Sequence, residues 1–256
     1  MTRRWALLLL AGACAGCHGS GPLLHPAHVL RPGFMSFGGG VSGEMVVAGA
    51  TAAAPDAGAA GAPAEGAAER HLSELTVAPG VAPWVSARVG IEGDNEAGLT
   101  YTGRALRLDG RHAFALGEPT LSVGLGASAL FARETGAGAA GSRAHGAGID
   151  VPLLLGFQSD ADLYAVWFGP RLGLELLGGE VRLPAAGPAA EGSLVDVSGR
   201  HLEVGFVLGA RGGFRHVHVA LEVTAAYHHV AGELAGAPVA LDQATFTPGG
   251  GLTVTF

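Results

Sequence analysis

Stretches in which every second residue is apolar recur along this chain, and that two-residue period constrains the fold more than any other feature. The last eleven residues show it: Phe246, Leu252, Val254 and Phe256 fall on one face of an extended strand, and Thr247, Thr253 and Thr255 on the other. Apolar-out, small-or-polar-in alternation over about ten residues suits a strand with lipid on one side and a lumen on the other. The chain is apolar overall, 48% hydrophobic and 14% charged. After the N-terminus it has no run of roughly 18 apolar residues that could cross a membrane as a helix. Such a chain is either a large soluble core or a closed barrel, since lipid offers no water to an open sheet edge. A soluble sandwich would carry far more charge on its solvent face. The expected fold is therefore all-β, an antiparallel up-and-down transmembrane β-barrel.

Ten segments carry the alternation: 33–47, 83–91, 97–108, 110–116, 120–133, 149–158, 163–177, 201–211, 215–230 and a last strand ending at Phe256. Eight is the alternative count. Ala/Gly/Pro-rich stretches without periodicity read as long loops at 48–80, 134–147, 178–199 and 231–244. Short connections at Gly93-Asp94-Asn95, Gly117-Glu118-Pro119, Ser159 to Asp162 and Gly212-Gly213-Phe214 alternate with them. Short turns on one side and long loops on the other are the pattern of outer-membrane barrels. The tight connection at Asp109-Gly110 is the exception.

Opposed residues of a hairpin share a face, which tests the assignment. A two-residue turn at Asp160-Ala161 places Phe157, Leu155, Leu153 and Ile149 opposite Tyr164, Val166, Phe168 and Leu172, all outward. Inside, Leu154 meets Trp167 and Asp150 meets Arg171. A turn at Gly213-Phe214 sorts the next hairpin equally cleanly, with Arg211, His216, His218, Gly209, Gly205 and Glu222 inward.

Residues 1–17 read as an export signal, with Arg3 and Arg4 ahead of a short apolar run from Ala6 to Ala13. Cys14 and Cys17, the two cysteines of the chain, close it. Ala15-Gly16 before Cys17 resembles a bacterial lipoprotein signal, which implies a lipid-modified Cys17, with Cys14 as the competing site and an ordinary secretory signal as the rival. Neither Ala15 nor His18 is the Asp of an inner-membrane retention signal. The implied address is the Gram-negative outer membrane, lipid-anchored on the periplasmic side, with residues 18–30 as a periplasmic tether and 31–256 as the barrel. At the other end, Gly251-x-x-Val254-x-Phe256 resembles the C-terminal assembly signal of outer-membrane barrels. That resemblance implies membrane lipid and the barrel-assembly machinery as partners. The mature chain as a whole resembles uncharacterised small outer-membrane barrels, which carries no catalytic residue across.

The inward set is Glu44, Arg88, Arg104, Asp150, Arg171, Glu175, Glu203, Arg211, His216, His218 and Glu222. Both signs are present, as expected of a lumen plugged by paired charges. His216, His218 and Glu222 are metal-ligand types, but residues two apart on a strand lie roughly 6.7 Å apart along it. They read as lumen filling, and no metal or cofactor is expected. His228 and His229 read as solvated rim, and Trp84 and Arg104 as a cation–π pair. No Gly-x-Ser-x-Gly, phosphate-loop or HExxH motif occurs. A net charge of −7 gives nucleic acid no footing. The expected role is structural or surface interaction, not enzymatic. A small pore or transport channel is the alternative, and a lipid-modifying or hydrolytic barrel the more distant one.

Overall fold

The alternating segments form ten antiparallel strands closed into one barrel, seen in a computed structural model that describes residues 21–49, 72–133, 142–182 and 193–256. In chain order they are β1 (Met35–Gly49), β2 (Gly80–Ile91), β3 (Asn95–Tyr101), β4 (Ala105–Ala115), β5 (Thr120–Arg133), β6 (Arg143–Gln158), β7 (Tyr164–Arg182), β8 (Leu194–Phe214), β9 (Val217–Leu234) and β10 (Ala237–Thr255). Each pairs with its chain neighbours, and β1 pairs with β10 to close the wall. Phe256 N–H donates to Met35 O at 2.9 Å and Met35 N–H to Phe256 O at 3.1 Å, finishing the seam. Among the described residues no helix is long and apolar enough to cross a membrane.

The outer wall is a lipid-facing surface. On β9 the exposed outward residues run Val217, Val219, Leu221 and on to Tyr227. Ten residues span about 33 Å along a strand, hence roughly 25 Å of height at a 40° tilt, the thickness of a barrel's apolar band. Exposed Phe37, Phe114, Phe157, Tyr164, Phe214 and Phe256 ring the wall at the end where β1 begins and β10 finishes, called the terminal end below. Tyr101, Phe131, Tyr227 and Phe246 are exposed toward the other end, so aromatics flank the band on both sides.

The expected faces hold, but two registers move. The β6–β7 loop takes five residues, 159–163, so Gln158 opposes Ala165 and Asp150 opposes Gly173 instead of Arg171. The β8–β9 turn is Arg215-His216, with Phe214 opposite Val217 and Gly209 opposite Glu222. Both corrections shift the pairing by an even number of residues, and an even shift leaves every side chain on its face. The third connection is also corrected. β3 and β4 turn at 102–104, where Gly103 has φ +81°, and the ladder runs straight through Asp109-Gly110.

A larger correction concerns 231–244, expected as a long loop. β9 and β10 continue through it to a two-residue turn, Ala235-Gly236, with φ +54° and +77°. Two positive φ values suit a tight hairpin. Arg143 to Ala147 belong to β6, and much of 178–199 belongs to β7 and β8. These strand ends escape a lipid-based reading because their polarity is inverted. Glu180, Asp196, Arg200, Glu233 and Asp242 point outward and are exposed, while Val181, Val197, Val230, Leu234 and Leu241 are buried inside. The wall beyond the apolar band is thus a water-facing collar with an apolar core. Leu72 and Leu75, on a short helix at 72–76 within the β1–β2 connection, pack into that core from above.

The inversion sets a boundary that substitution can locate. Leu221→Arg, in mid-band, should destabilise the folded barrel by roughly 2–4 kcal/mol, and Glu233→Arg, in the collar, by less than about 1 kcal/mol. Urea titration of protein folded into liposomes measures both, and equal costs would remove the collar.

Candidate functional site

Every second residue of each strand enters the lumen, where the buried charges meet one another. Arg88 on β2 bonds Glu96 on β3 and reaches Asp109 on β4 with Nη2 to Oδ2 at 2.5 Å. Arg107 bonds Asp109 at 2.5 Å and grips both carboxylate oxygens of Asp150 on β6, at 2.7 and 2.9 Å. Arg171 on β7 approaches the same carboxylate at 3.5 Å. Arg111 joins from β4, its Nη2 2.8 Å from Glu96 Oε1. Glu96, Arg88, Asp109, Arg107, Asp150 and Arg171 thus form one chain of alternating sign across five strands. Asp150 and Arg171 do meet, but diagonally, and Arg107 is the closer partner.

Glu96, Arg107, Asp109 and Arg111 were not foreseen. The signal was present in Leu106, Leu108, Gly110, His112 and Phe114, an unbroken outward alternation that places Arg107, Asp109 and Arg111 inward. A turn assigned to Asp109-Gly110 hid it.

The expected tether is the larger surprise. Its described part, residues 21–30, is a strap running up inside the barrel, with Leu23, Leu24, His25 and Ala27 buried. Lumen side chains hold its backbone. Glu222 accepts from Leu23 N–H at 2.7 Å and Leu24 N–H at 2.8 Å, and from Trp167 Nε1–H at 3.0 Å. Arg111 donates to Pro26 O, and to His28 O at 3.1 Å. Arg171 donates to Gly21 O at 3.1 Å, and Glu96 accepts from Leu30 N–H at 2.8 Å. Leu23, Leu24 and Ala27 pack against Trp84, Leu154, Trp167, Val207 and Ala220 on the wall. Burying each leucine favours the seat by roughly 1.5–3 kcal/mol. Burial and the neighbouring Arg111, Arg88 and Arg107 hold the His25 imidazole well below the usual histidine range, so it is neutral.

Glycines make room for the two tryptophans. A Cβ at Gly209 would strike the Trp167 ring, and one at Gly251 would strike Trp84. Gly251, Val254 and Phe256, the expected assembly signal, therefore lie along the β1–β10 seam, with Gly251 as a packing position inside it.

Above the strap, His201 Nε2 lies 2.9 Å from His228 Nδ1, and His228 Nε2 lies 2.8 Å from Thr245 Oγ1. Glu175 Oε2 is 3.4 Å from His201 Nδ1. One set of neutral tautomers satisfies this run, with Thr245 O–H donating to His228 and each Nδ1–H donating onward. His228 is thus a buried cross-brace and not solvated rim, whereas His229 is exposed beside Asp242. The run resembles a nucleophile relay, but Thr245 is buried and lines neither cavity described below. His216 lies exposed in the β8–β9 turn, outside the expected inward set. His218 and Arg211 bond Asp162 in the β6–β7 loop, at 2.8 and 2.5 Å. No group of three metal-ligating side chains converges among the described residues. Arg104 donates to Leu75 O at 2.7 Å, tying the helix at 72–76 to the wall, and makes no ring contact with Trp84 among the described residues. Cys14 and Cys17 lie outside the described residues.

Two cavities flank the strap. One of about 1090 Å³ opens at the terminal end, beside strap residues Leu23 to Arg31. One of about 120 Å³ lies beyond Gly21 and Pro22, lined by Arg104, Arg107, Arg171, Asp150, Glu175 and Glu203. The strap stands between them.

No protein family and no curated protein matches the sequence. Among solved structures the chain is similar to Neisserial surface protein A (NspA), at 11% identity and a TM-score of 0.32 over 87% of this chain and 96% of that one. It is similar also to the Pseudomonas putida toluene transporter TodX, at 10% identity and a TM-score of 0.29 over 90% of each chain. The architecture rests on this chain's own strand pairing.

Because Arg107 makes two bonds to Asp150 and Arg171 one long contact, their couplings should differ. Asp150→Asn should cost roughly 3–5 kcal/mol by stranding buried guanidinium charge. Double-mutant cycles should return a larger coupling with Arg107→Gln than with Arg171→Gln, and the reverse order would displace Arg107 from the centre of the network.

Proposed function

We propose that the chain is an outer-membrane β-barrel with a closed lumen, serving a structural or surface-interaction role. The observation that carries this is the filling of the lumen. The strap crosses its terminal half, the helix at 72–76 packs into the far half, and paired charges occupy the wall between. Short turns at the terminal end favour placing that end in the periplasm. The collar then projects from the cell as a rigid, charged rim, a platform for contacts with other surfaces. Ten strands also favour closure, since about eight leave an interior just filled by side chains and open channels belong to much larger barrels.

The cavity at the terminal end favours a second reading, a small pore or transport channel whose path runs beside the strap. Planar-bilayer recording separates them. The wild type should insert, shown by a gel shift between boiled and unboiled protein, and stay electrically silent. Stable ion-selective conductance from the wild type would favour the pore.

Lipid attachment at Cys17, or else Cys14, belongs to the same proposal, and the strap limits it. Gly21 lies against Thr102 in the β3–β4 turn and against Arg171, seven residues along β7 from the terminal-end residue Tyr164. That is about 23 Å along a strand, or ~18 Å of height. The four residues from Cys17 to Gly21 reach ~14 Å at most. An anchor in the leaflet at the terminal end therefore draws Gly21 away from Arg171, and the stretch from Leu23 to Leu30 is what closes the lumen. Mass spectrometry of the mature N-terminus should find a diacylglyceryl-modified cysteine, and an unmodified N-terminus starting elsewhere would reject the anchor.

A further inference from the structure

The strap is gripped along its length through its backbone. Six of its backbone groups, Gly21 O, Leu23 N–H, Leu24 N–H, Pro26 O, His28 O and Leu30 N–H, are taken by four charged wall residues. Glu222 faces two successive N–H groups with its two oxygens and is steadied by Trp167. Side-chain selection acts at an apolar patch for Leu23 and Leu24, at the close approach of Ala27 to Gly156, at Pro22 against Gly249, at Gly21 against Thr102, and at His25, whose Nδ1 lies 2.6 Å from Arg111 Nη1. A Cβ at Gly156 would lie 2.8 Å from that of Ala27, so this place takes only a small residue.

From this geometry we infer that the lumen is a binding site for an extended peptide, occupied here in cis by residues 21–30. The ligand class is a segment with two adjacent apolar residues followed, three positions later, by a small one. The strap runs from Gly21 in the interior to Leu30 at the rim, so a peptide in trans enters N-terminus first. The cavity of about 1090 Å³ beside the strap gives it a path from the terminal end, and the cavity of about 120 Å³ receives what precedes the gripped stretch. The inference goes beyond the closed-barrel reading. It rests on the seat of the strap and not on the membrane in which the barrel sits.

A tethered strap competes at a local concentration in the millimolar range, so the site shows itself when the strap is weakened and the wall left intact. The full-length Leu23→Asp/Leu24→Asp variant, in detergent, is titrated with a fluorescent peptide of the sequence of residues 21–30. The gel shift on heating confirms that it is folded. The variant should bind the peptide more tightly than wild type does. Adding Glu222→Gln should weaken binding at least about tenfold, because Gln cannot accept from both N–H groups. The same peptide N-methylated at the two leucines keeps its apolar surface and loses those N–H groups, so it should not bind. Absence of binding by the folded variant, or binding indifferent to Glu222→Gln and to N-methylation, would overturn the site and leave the closed barrel standing. Should the double variant not fold, Leu24→Ala replaces it. Hydrogen exchange on the wild type then gives a second readout: amides of 21–30 should exchange faster at saturating peptide, and unchanged exchange would equally overturn the site.

Discussion

Charges on the inner wall of a lumen are removed from bulk water, and the chain from Glu96 through Arg88, Asp109, Arg107 and Asp150 to Arg171 is how this barrel meets that constraint. Each link joins residues on different strands or two positions apart on one strand. The network therefore reports register: a one-residue slip of β4 would turn Arg107, Asp109 and Arg111 toward lipid together. Pairing of this kind is weak grounds for high stability. It is good grounds for a single closed arrangement, because alternative registers strand charge on both faces at once.

The two-residue period made the strands, their number and their faces legible, since lipid and lumen impose opposite demands on adjacent residues. Register was less legible. It depends on how many residues a turn absorbs, and neither Ser159 to Leu163 nor Arg215-His216 declares that by composition. The β3–β4 turn was misplaced because Asp109-Gly110 carries stronger turn chemistry than Thr102-Gly103-Arg104, while the alternation around it argued the other way. The collar was missed for a different reason. Its strands keep the period but exchange the faces, so Val181 and Leu241 look like loop residues to a reading that expects apolar groups to point outward.

The strap left a fainter trace. Trp84, Leu154, Trp167 and Val207 point inward at the level where buried charge also lines the lumen. Inward apolar bulk in a polar lumen calls for an apolar partner, and Leu23-Leu24 is a compact candidate just ahead of the first strand. Composition pointed elsewhere, since Gly, Pro and His flank those leucines and suit a tether.

Strap and wall also explain each other chemically. The three bonded partners of Glu222 are the N–H groups of Leu23, Leu24 and Trp167. Arg111 divides its donors between Glu96 and the carbonyls of Pro26 and His28. Remove the strap, and Glu222 keeps one donor while Arg111 loses His25 Nδ1 and the two carbonyls beside buried Arg88. Only water or another backbone could replace them. Water would solvate the charges but not the faces of Trp84 and Trp167, whereas an extended backbone carrying two apolar side chains satisfies both. The wall is therefore more specific than a merely polar lumen requires. Its charges and its apolar patch are spaced for a peptide, and the N-terminal segment of the chain is what fills them.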